Sequence, residues 1–276
     1  IGSMYQKPTF RRRLAQNSLN RFFTGASFGL AFNSVSKRYY VEHHGISPDR
    51  IAVAPNLVDT DAVFTDRQRF ADRLDAKRQE LGLAGKKVVL FVGAIEPAKR
   101  LDRLIDAFAD IRNKVPDSKL LVVGDGYARA DAEQRARERN LESHVVFAGK
   151  HVADANLYYM LGDVFVLPGL GGLAPSQAMA HGMPVISAPA DGTERDLIAD
   201  GESGYLTTNG PQPDPVEQIS EKVTTLLTDD ALRQRMSEAS VQRIRERFNI
   251  NRTAEIFQSV IKGVTDPAHH QKVILE

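Results

Sequence analysis

The 276-residue sequence has no cysteine, which excludes disulfides and cysteine-ligated metals and suits a cytoplasmic setting. It also lacks any apolar run approaching the roughly 18–20 residues of a membrane span. No secretory leader is expected; the opening Ile1-Gly2-Ser3-Met4 reads as a cloning scar. Neither the G-x-x-x-x-G-K-[ST] phosphate loop nor the G-x-G-x-x-G fingerprint occurs, and Gly124-Asp125-Gly126 alone is a weak signal. Metal ligands are sparse. His43-His44 and His269-His270 are adjacent pairs that point different ways on a helix, and His181 stands beside a helix end, where capping is explanation enough. Asp59-Thr60-Asp61 has a metal-binding spacing but falls in the connection after Asn56, away from the glycine loops. Ser176 lacks the G-x-S-x-G setting of a hydrolase nucleophile, since Ala174 and Pro175 precede it.

What remains is an ordinary soluble composition, with room for one large or two ordinary domains. The net charge of +1 is unevenly placed. Residues 1–50 carry eight Lys/Arg (Lys7, Arg11, Arg12, Arg13, Arg21, Lys37, Arg38, Arg50) against Glu42 and Asp49, leaving the remainder near −5. Residues 8–23 read as a helix with Phe10, Leu14, Leu19, Phe22 and Phe23 among basic positions. Such a stretch either lies against anionic lipid or forms a solvated face, and both readings stay open.

A strand over Ser27 to Phe32, a helix from Ser34 to His44 closed by Gly45, and a strand from Arg50 to Ala54 follow. That is too little for an α/β domain, so residues 1–56 read as the remnant of one. From Lys86 onward, strand-like runs at 87–93, 119–124, 144–148, 163–167, 184–188 and 204–207 alternate with helical segments at 101–113, 128–139, 154–161 and 193–199. The continuously apolar runs VVLFVG and LLVVG suit strands buried on both faces. The pattern predicts a Rossmann-like, doubly wound parallel sheet over 57–248. A Pro-rich turn (Pro211, Pro213, Pro215) leads to helices at 216–227 and 231–248, and 249–276 is a last helix and tail.

Ligands bind such sheets beyond the carboxyl ends of the strands. Here those ends are Gly93, Gly124-Asp125-Gly126, Gly149-Lys150 and Gly169-Leu170-Gly171-Gly172. The last of these runs into a helix with Pro175 in its first turn, and strand, glycine loop and helix start make an anion site. Lys99, at the mouth of the Gly93 loop, can neutralise a phosphate as a point charge.

With the loops placed, the chain resembles the family-4 retaining glycosyltransferases of the GT-B fold over nearly all of residues 25–248. The segment ending RIAVAPNLVDTDAVF is similar to the family's interdomain "IxVIPNGVD". VLFVGAIEPAKRLDRLIDAF resembles "FVGRLxxxKGxDxLIxAF", and LLVVGDG, VVFAGK and DVFVLPG follow in the family's order, then AMAHGMPVISAPADGTERDLIADGESGYL. The resemblance implies a donor-binding C-terminal domain and an acceptor-side domain of which only the end is present. It implies a metal-independent transfer of a hexosyl or deoxyhexosyl group, with retention, from a nucleotide-diphosphate sugar to the hydroxyl of a glycan or lipid-linked acceptor. The setting would be glycan or cell-surface polysaccharide biosynthesis, at the cytoplasmic side of a membrane with peripheral contact to anionic lipid, and without nucleic acid. This chain alone is expected to turn over poorly.

Position by position, the resemblance places Lys99 on the donor diphosphate as leaving-group stabiliser, with backbone N–H groups of Gly172, Leu173 and Ala174. The Gly149-Lys150-His151 turn would hold the base through main-chain atoms, with Gly124 giving room and Gly126 among the donor-binding residues. The family's two glutamates eight apart fall on Gly169 and Gln177; Gln177 can still accept a ribose O–H through its carbonyl. The family's diphosphate arginine falls on Ala94, after Gly93, and Arg100 is the expected substitute. These departures imply a different donor sugar. Two other readings stay open: a nucleotide-sugar binding or regulatory module with weakened catalysis, and an epimerase on the same architecture.

Overall fold

The structure, a computed structural model, describes residues 28–208 and 214–265. The basic 8–23 stretch, Pro211 and Pro213, and His269-His270 lie outside the described residues. The chain divides into two units, one of Ile1–Asn56, Ala190–Asp196 and Ile250–Glu276, the other of Leu57–Pro189 and Leu197–Asn249.

In the first unit, β1 (Gly29–Ala31) and β2 (Ile51–Val53) pair in parallel and are joined by helix α1 (Ser34–His44). The helix starts where the Asn33 side chain accepts from the Ser36 N–H at 2.7 Å, and stops at Gly45, whose φ of 65° only glycine adopts without cost. The segment 190–196 belongs here because Asn33 Nδ2 donates to the Asp191 carbonyl at 3.1 Å and the Ser34 N–H donates to Asp196 Oδ2 at 2.6 Å. The final helix of the chain, Ile250–Thr265, sets Ile256 and Val260 against Ala52 and Ala54. His43, read as a surface residue, is exposed and stacks on Tyr39 at 4.5 Å.

The second unit opens with two helices that carry little apolar periodicity, α2 (Thr60–Arg69) and α3 (Leu74–Glu80). Asp59 is the N-cap of α2, accepting from the N–H groups of Asp61 and Ala62 at 3.1 and 3.0 Å, so its spacing to Asp61 has a capping origin. Then β3 (Lys87–Val92), α4 (Leu101–Lys114), β4 (Ser118–Val123), α5 (Arg129–Glu138), β5 (Val145–Gly149), α6 (Ala155–Tyr159), β6 (Val164–Leu167), α7 (Ala174–Ala180), β7 (Val185–Ser187) and β8 (Gly204–Leu206) alternate, with α8 (Thr193–Leu197), of which 193–196 belong to the first unit, between β7 and β8. Helices α9 (Pro215–Thr228) and α10 (Asp230–Arg247) close the unit. All six strands run parallel in the order β5-β4-β3-β6-β7-β8. This is the doubly wound sheet expected from the alternation.

Burial explains the pattern. Val88–Phe91, Leu120–Val122 and Val164–Val166 are fully buried, covered on both faces as their unbroken apolar runs require. Helix α4 buries Leu101, Leu104, Ile105, Phe108 and Ile111, the spacing of one helical face. Asp163 locks the central pair: its N–H donates to the Val88 carbonyl and its carboxylate accepts from the Val88 N–H, at 2.8 and 2.7 Å.

Candidate functional site

The chain leaves β3 toward β4 on one side and later returns as β6 on the other, so the sheet's topological switch lies between the carboxyl ends of β3 and β6. Gly93 follows β3, and Pro168 with the glycine loop follows β6. The loops at this rim are tied to one another by main chain. The Gly93 N–H donates to Val123 O (3.0 Å), Ile95 N–H to Asp125 O (3.0 Å), Ala128 N–H to Ile95 O (3.1 Å), Gly124 N–H to Gly149 O (2.7 Å) and Leu170 N–H to Ala98 O (2.7 Å).

Such close approach leaves no room for side chains at three glycines. A Cβ on Gly124 would overlap the Gly93 carbonyl, with that carbon only 2.9 Å away, and one on Gly126 would lie 2.8 Å from Ile95 C and N. Glycine at 124 and 126 is therefore required by the 93–95 backbone lying across both positions. Gly169 is the third case: its Cβ would sit 2.5 Å from Lys99 C and 2.6 Å from Lys99 O. A glutamate cannot occupy this position on this backbone, so Gly169 is required by packing, whatever sugar the chain takes.

Lys99 is brought to the glycine loop. Its Nζ donates to the carbonyls of Leu170 (2.8 Å) and Gly171, and lies 3.6 Å from where a Cβ on Gly172 would stand. Gly172 has φ 134°, a conformation open to glycine. Among the described residues no acceptor takes the N–H groups of Gly172, Leu173 and Ala174. An ammonium and free amides thus converge at the switch point, which is the chemistry of an anion cradle. Ser176, buried in the first turn, donates its hydroxyl to Leu173 O at 2.8 Å.

Arg100 does not join them. Its guanidinium is held in a fork by Asp102, Nε to Oδ1 at 3.1 Å and Nη2 to Oδ2 at 2.9 Å, and that hydrogen bond raises its pKa. Arg100, expected to replace the arginine missing at Ala94, is paired here at the first turn of α4. In the 149–151 turn, Lys150 is exposed, while the His151 ring stacks on Tyr158 at 3.9 Å and contacts Asp154 Oδ1 and Ala148 O, each at 3.1 Å.

Gln177 belongs to a polar network that spacing did not reveal. Asn156 Nδ2 donates to Asp66 Oδ2 at 2.8 Å, and Asn156 Oδ1 accepts from Gln177 Nε2 at 2.7 Å and meets His181 Nε2 at 2.9 Å. Asp66 and Asn156 stand 90 positions apart, so only the fold joins them. His181 does more than cap a helix end: its ring stacks parallel to Tyr159 at 5.4 Å. Burial, then the charge of Arg67, push its pKa down to about 3, against the opposing pull of Asp66. The sign of the linkage follows. Between about pH 6.5 and pH 3 the unfolded chain binds a proton here that the folded chain refuses, so stability falls on acidification. Urea midpoints should drop from pH 7 to pH 5 with a slope of about 1.4 kcal/mol per unit from this group below pH 6.5, and His181→Asn should flatten that slope.

No group of three His, Cys, Asp or Glu residues suited to a metal ion occurs among the described residues. Nor is any described helix long and apolar enough to cross a membrane.

A Rossmann-like sheet with Lys99 and a glycine loop at its switch point is an architecture that many ligand-binding enzymes share, and comparison gives the family. Residues 73–243 match the model of glycosyl transferases group 1, and the chain belongs to that family. It is 32% identical over 215 residues to the D-inositol 3-phosphate glycosyltransferase of Corynebacterium aurimucosum, covering 74% of this chain and 49% of that protein. HepE of Anabaena, solved in complex with UDP, superposes with a TM-score of 0.73 at 25% identity, over 91% of this chain and 67% of that one. A glycosyltransferase of Rickettsia africae shares the fold with a TM-score of 0.78 at 16% identity, over 95% and 69%. The chain spans about half the length of the curated relatives it matches.

Proposed function

We propose that this chain is the donor-binding part of a retaining, metal-independent glycosyltransferase that moves a sugar from a nucleotide-diphosphate sugar to an acceptor hydroxyl, in glycan or cell-surface polysaccharide synthesis. The observation that carries the reading is Lys99 Nζ held against the Gly171-Gly172 turn, beside the unused N–H groups of 172–174. HepE, a related structure, is solved with UDP and with UDP-glucose. Lys99 and the amides take the diphosphate and stabilise it as it leaves, which is the work a metal does elsewhere. The 149–151 main chain takes the base, and Gln177 Oε1 takes a ribose hydroxyl. The acceptor is held by residues outside this chain, and the basic 1–50 region gives peripheral contact with anionic lipid. A second reading, a binding module without efficient turnover, draws on Gly169, which places no carboxylate at the donor sugar.

Calorimetry with UDP, GDP, ADP and their sugars tests the site. At least one should bind the wild type, and Lys99→Ala should weaken it by about tenfold to a hundredfold, the loss of a charge-assisted contact. Equal affinity in Lys99→Ala would move the donor site elsewhere.

A further inference from the structure

We infer that Asp66 dictates the chemical identity of residue 177: through Asn156 it sets a one-way hydrogen-bond relay that accepts only a donor at 177, so the ribose meets a fixed, neutral amide carbonyl in place of a carboxylate. The ribose half of this inference rests on the donor-site reading above; the relay does not.

The direction of the relay follows from its first member. An ionised carboxylate only accepts, so the Asn156 atom 2.8 Å from Asp66 Oδ2 is the NH2 group, and the amide cannot be turned round without setting oxygen against oxygen. Asn156 Oδ1 therefore faces α7. Two donors fill its lone pairs, Gln177 Nε2 at 2.7 Å and His181 Nε2 at 2.9 Å. The proton on His181 is thereby fixed on Nε2. On the other side of the ring Nδ1 is buried with no partner among the described residues. Burial keeps the ring neutral, so with the proton on Nε2 that atom is a bare acceptor. The charged groups around the relay are Arg69, 3.7 Å from Asp66, and Arg67, which acts on His181.

Gln177 fits this frame and glutamate does not. With Nε2 committed to Asn156, Gln177 Oε1 has no partner among the described residues and is the acceptor left for a ribose O–H. A carboxylate at 177 would oppose Asn156 Oδ1, and flipping Asn156 would oppose Asp66 instead. One bond therefore links a residue of α2 to the departure at 177 from the family's glutamate.

The test is a cycle of Gln177→Glu, Asp66→Asn and the double variant, read by thermal melting and by calorimetry with UDP and GDP. Gln177→Glu should melt about 5 °C lower and bind nucleotide about tenfold more weakly at pH 7.5. The melting gap to the wild type should narrow at pH 5, because a protonated glutamate donates as the amide does. Adding Asp66→Asn lets the relay reverse: residue 66 donates, Asn156 turns, and His181 takes its proton on Nδ1, where the buried N–H finds no acceptor among the described residues. The double variant should therefore recover part of both losses and lose the pH dependence of the gap. Gln177→Glu matching the wild type at pH 7.5, or Asp66→Asn merely adding a second loss, overturns the relay. A wild type that binds no nucleotide overturns the donor reading and the ribose contact, while the melting cycle still decides the relay.

Discussion

Gly124→Ala is expected to cost about 4 kcal/mol of stability, combining overpacking with backbone strain. The methyl group would land on the Gly93 carbonyl, and the position has φ 143°, where an L side chain is strained whatever the space. The obstructing atoms are main chain and are pinned by the bond from Gly93 N–H to Val123 O at 3.0 Å, so they cannot swing aside as a side chain would. Thermal and urea unfolding should show a fall of about 10 °C in Tm. Gly85→Ala is the control. It has φ 67° with nothing within 4 Å of the added atom, and should lose only about 1 kcal/mol. A Gly124→Ala chain as stable as Gly85→Ala would mean that the loops after β3 and β4 are not locked as described.

The second large effect concerns Gly169. Gly169→Glu introduces the residue that the family resemblance places there, and a gain of activity would be the simple expectation. The structure demands the opposite. The new Cβ would meet Lys99 C at 2.5 Å and Lys99 O at 2.6 Å, so it must displace the backbone that carries Lys99. Stability should fall by about 3 kcal/mol. Nucleotide affinity should fall by about a hundredfold as the ammonium leaves the Leu170 and Gly171 carbonyls. Calorimetry and urea unfolding on the same preparation read both. A Gly169→Glu chain that melts with the wild type and binds nucleotide as well would show that the Ala98–Lys99 backbone yields cheaply.

These two glycines show what the sequence made legible and where it stopped. The strands of the second unit could be read because their residues are buried on both faces, and α4 because its apolar face repeats with the helical period. The rim itself followed from glycine at the ends of β3, β4, β5 and β6. Helices α2 and α3 were not anticipated, since α2 buries only Thr60 and Val63 and α3 buries nothing, leaving no periodic signal. Motif alignment compared Gly169 with a glutamate, but a motif holds no record of the backbone lying across it. Arg100 was placed by its charge and its distance along the chain; the competing carboxylate two residues on, Asp102, decided its direction. Asp66, Asn156 and His181 form a unit only in three dimensions, and no spacing in the sequence announces it.

The first unit is sewn together from distant stretches of chain. Thr253 Oγ1 donates to the Pro55 carbonyl across 198 positions at 3.3 Å, and Asn33 reaches Asp191 across 158. Contacts of that separation are the slowest to form. As the ribosome delivers the chain, the β3-β4-β5 ladder can assemble from neighbouring segments long before Ile256 is available to cover Ala52. Synthesis therefore imposes a timetable on this molecule: the β3-β4-β5 ladder can mature early, and β2 waits for residues made far later in the chain.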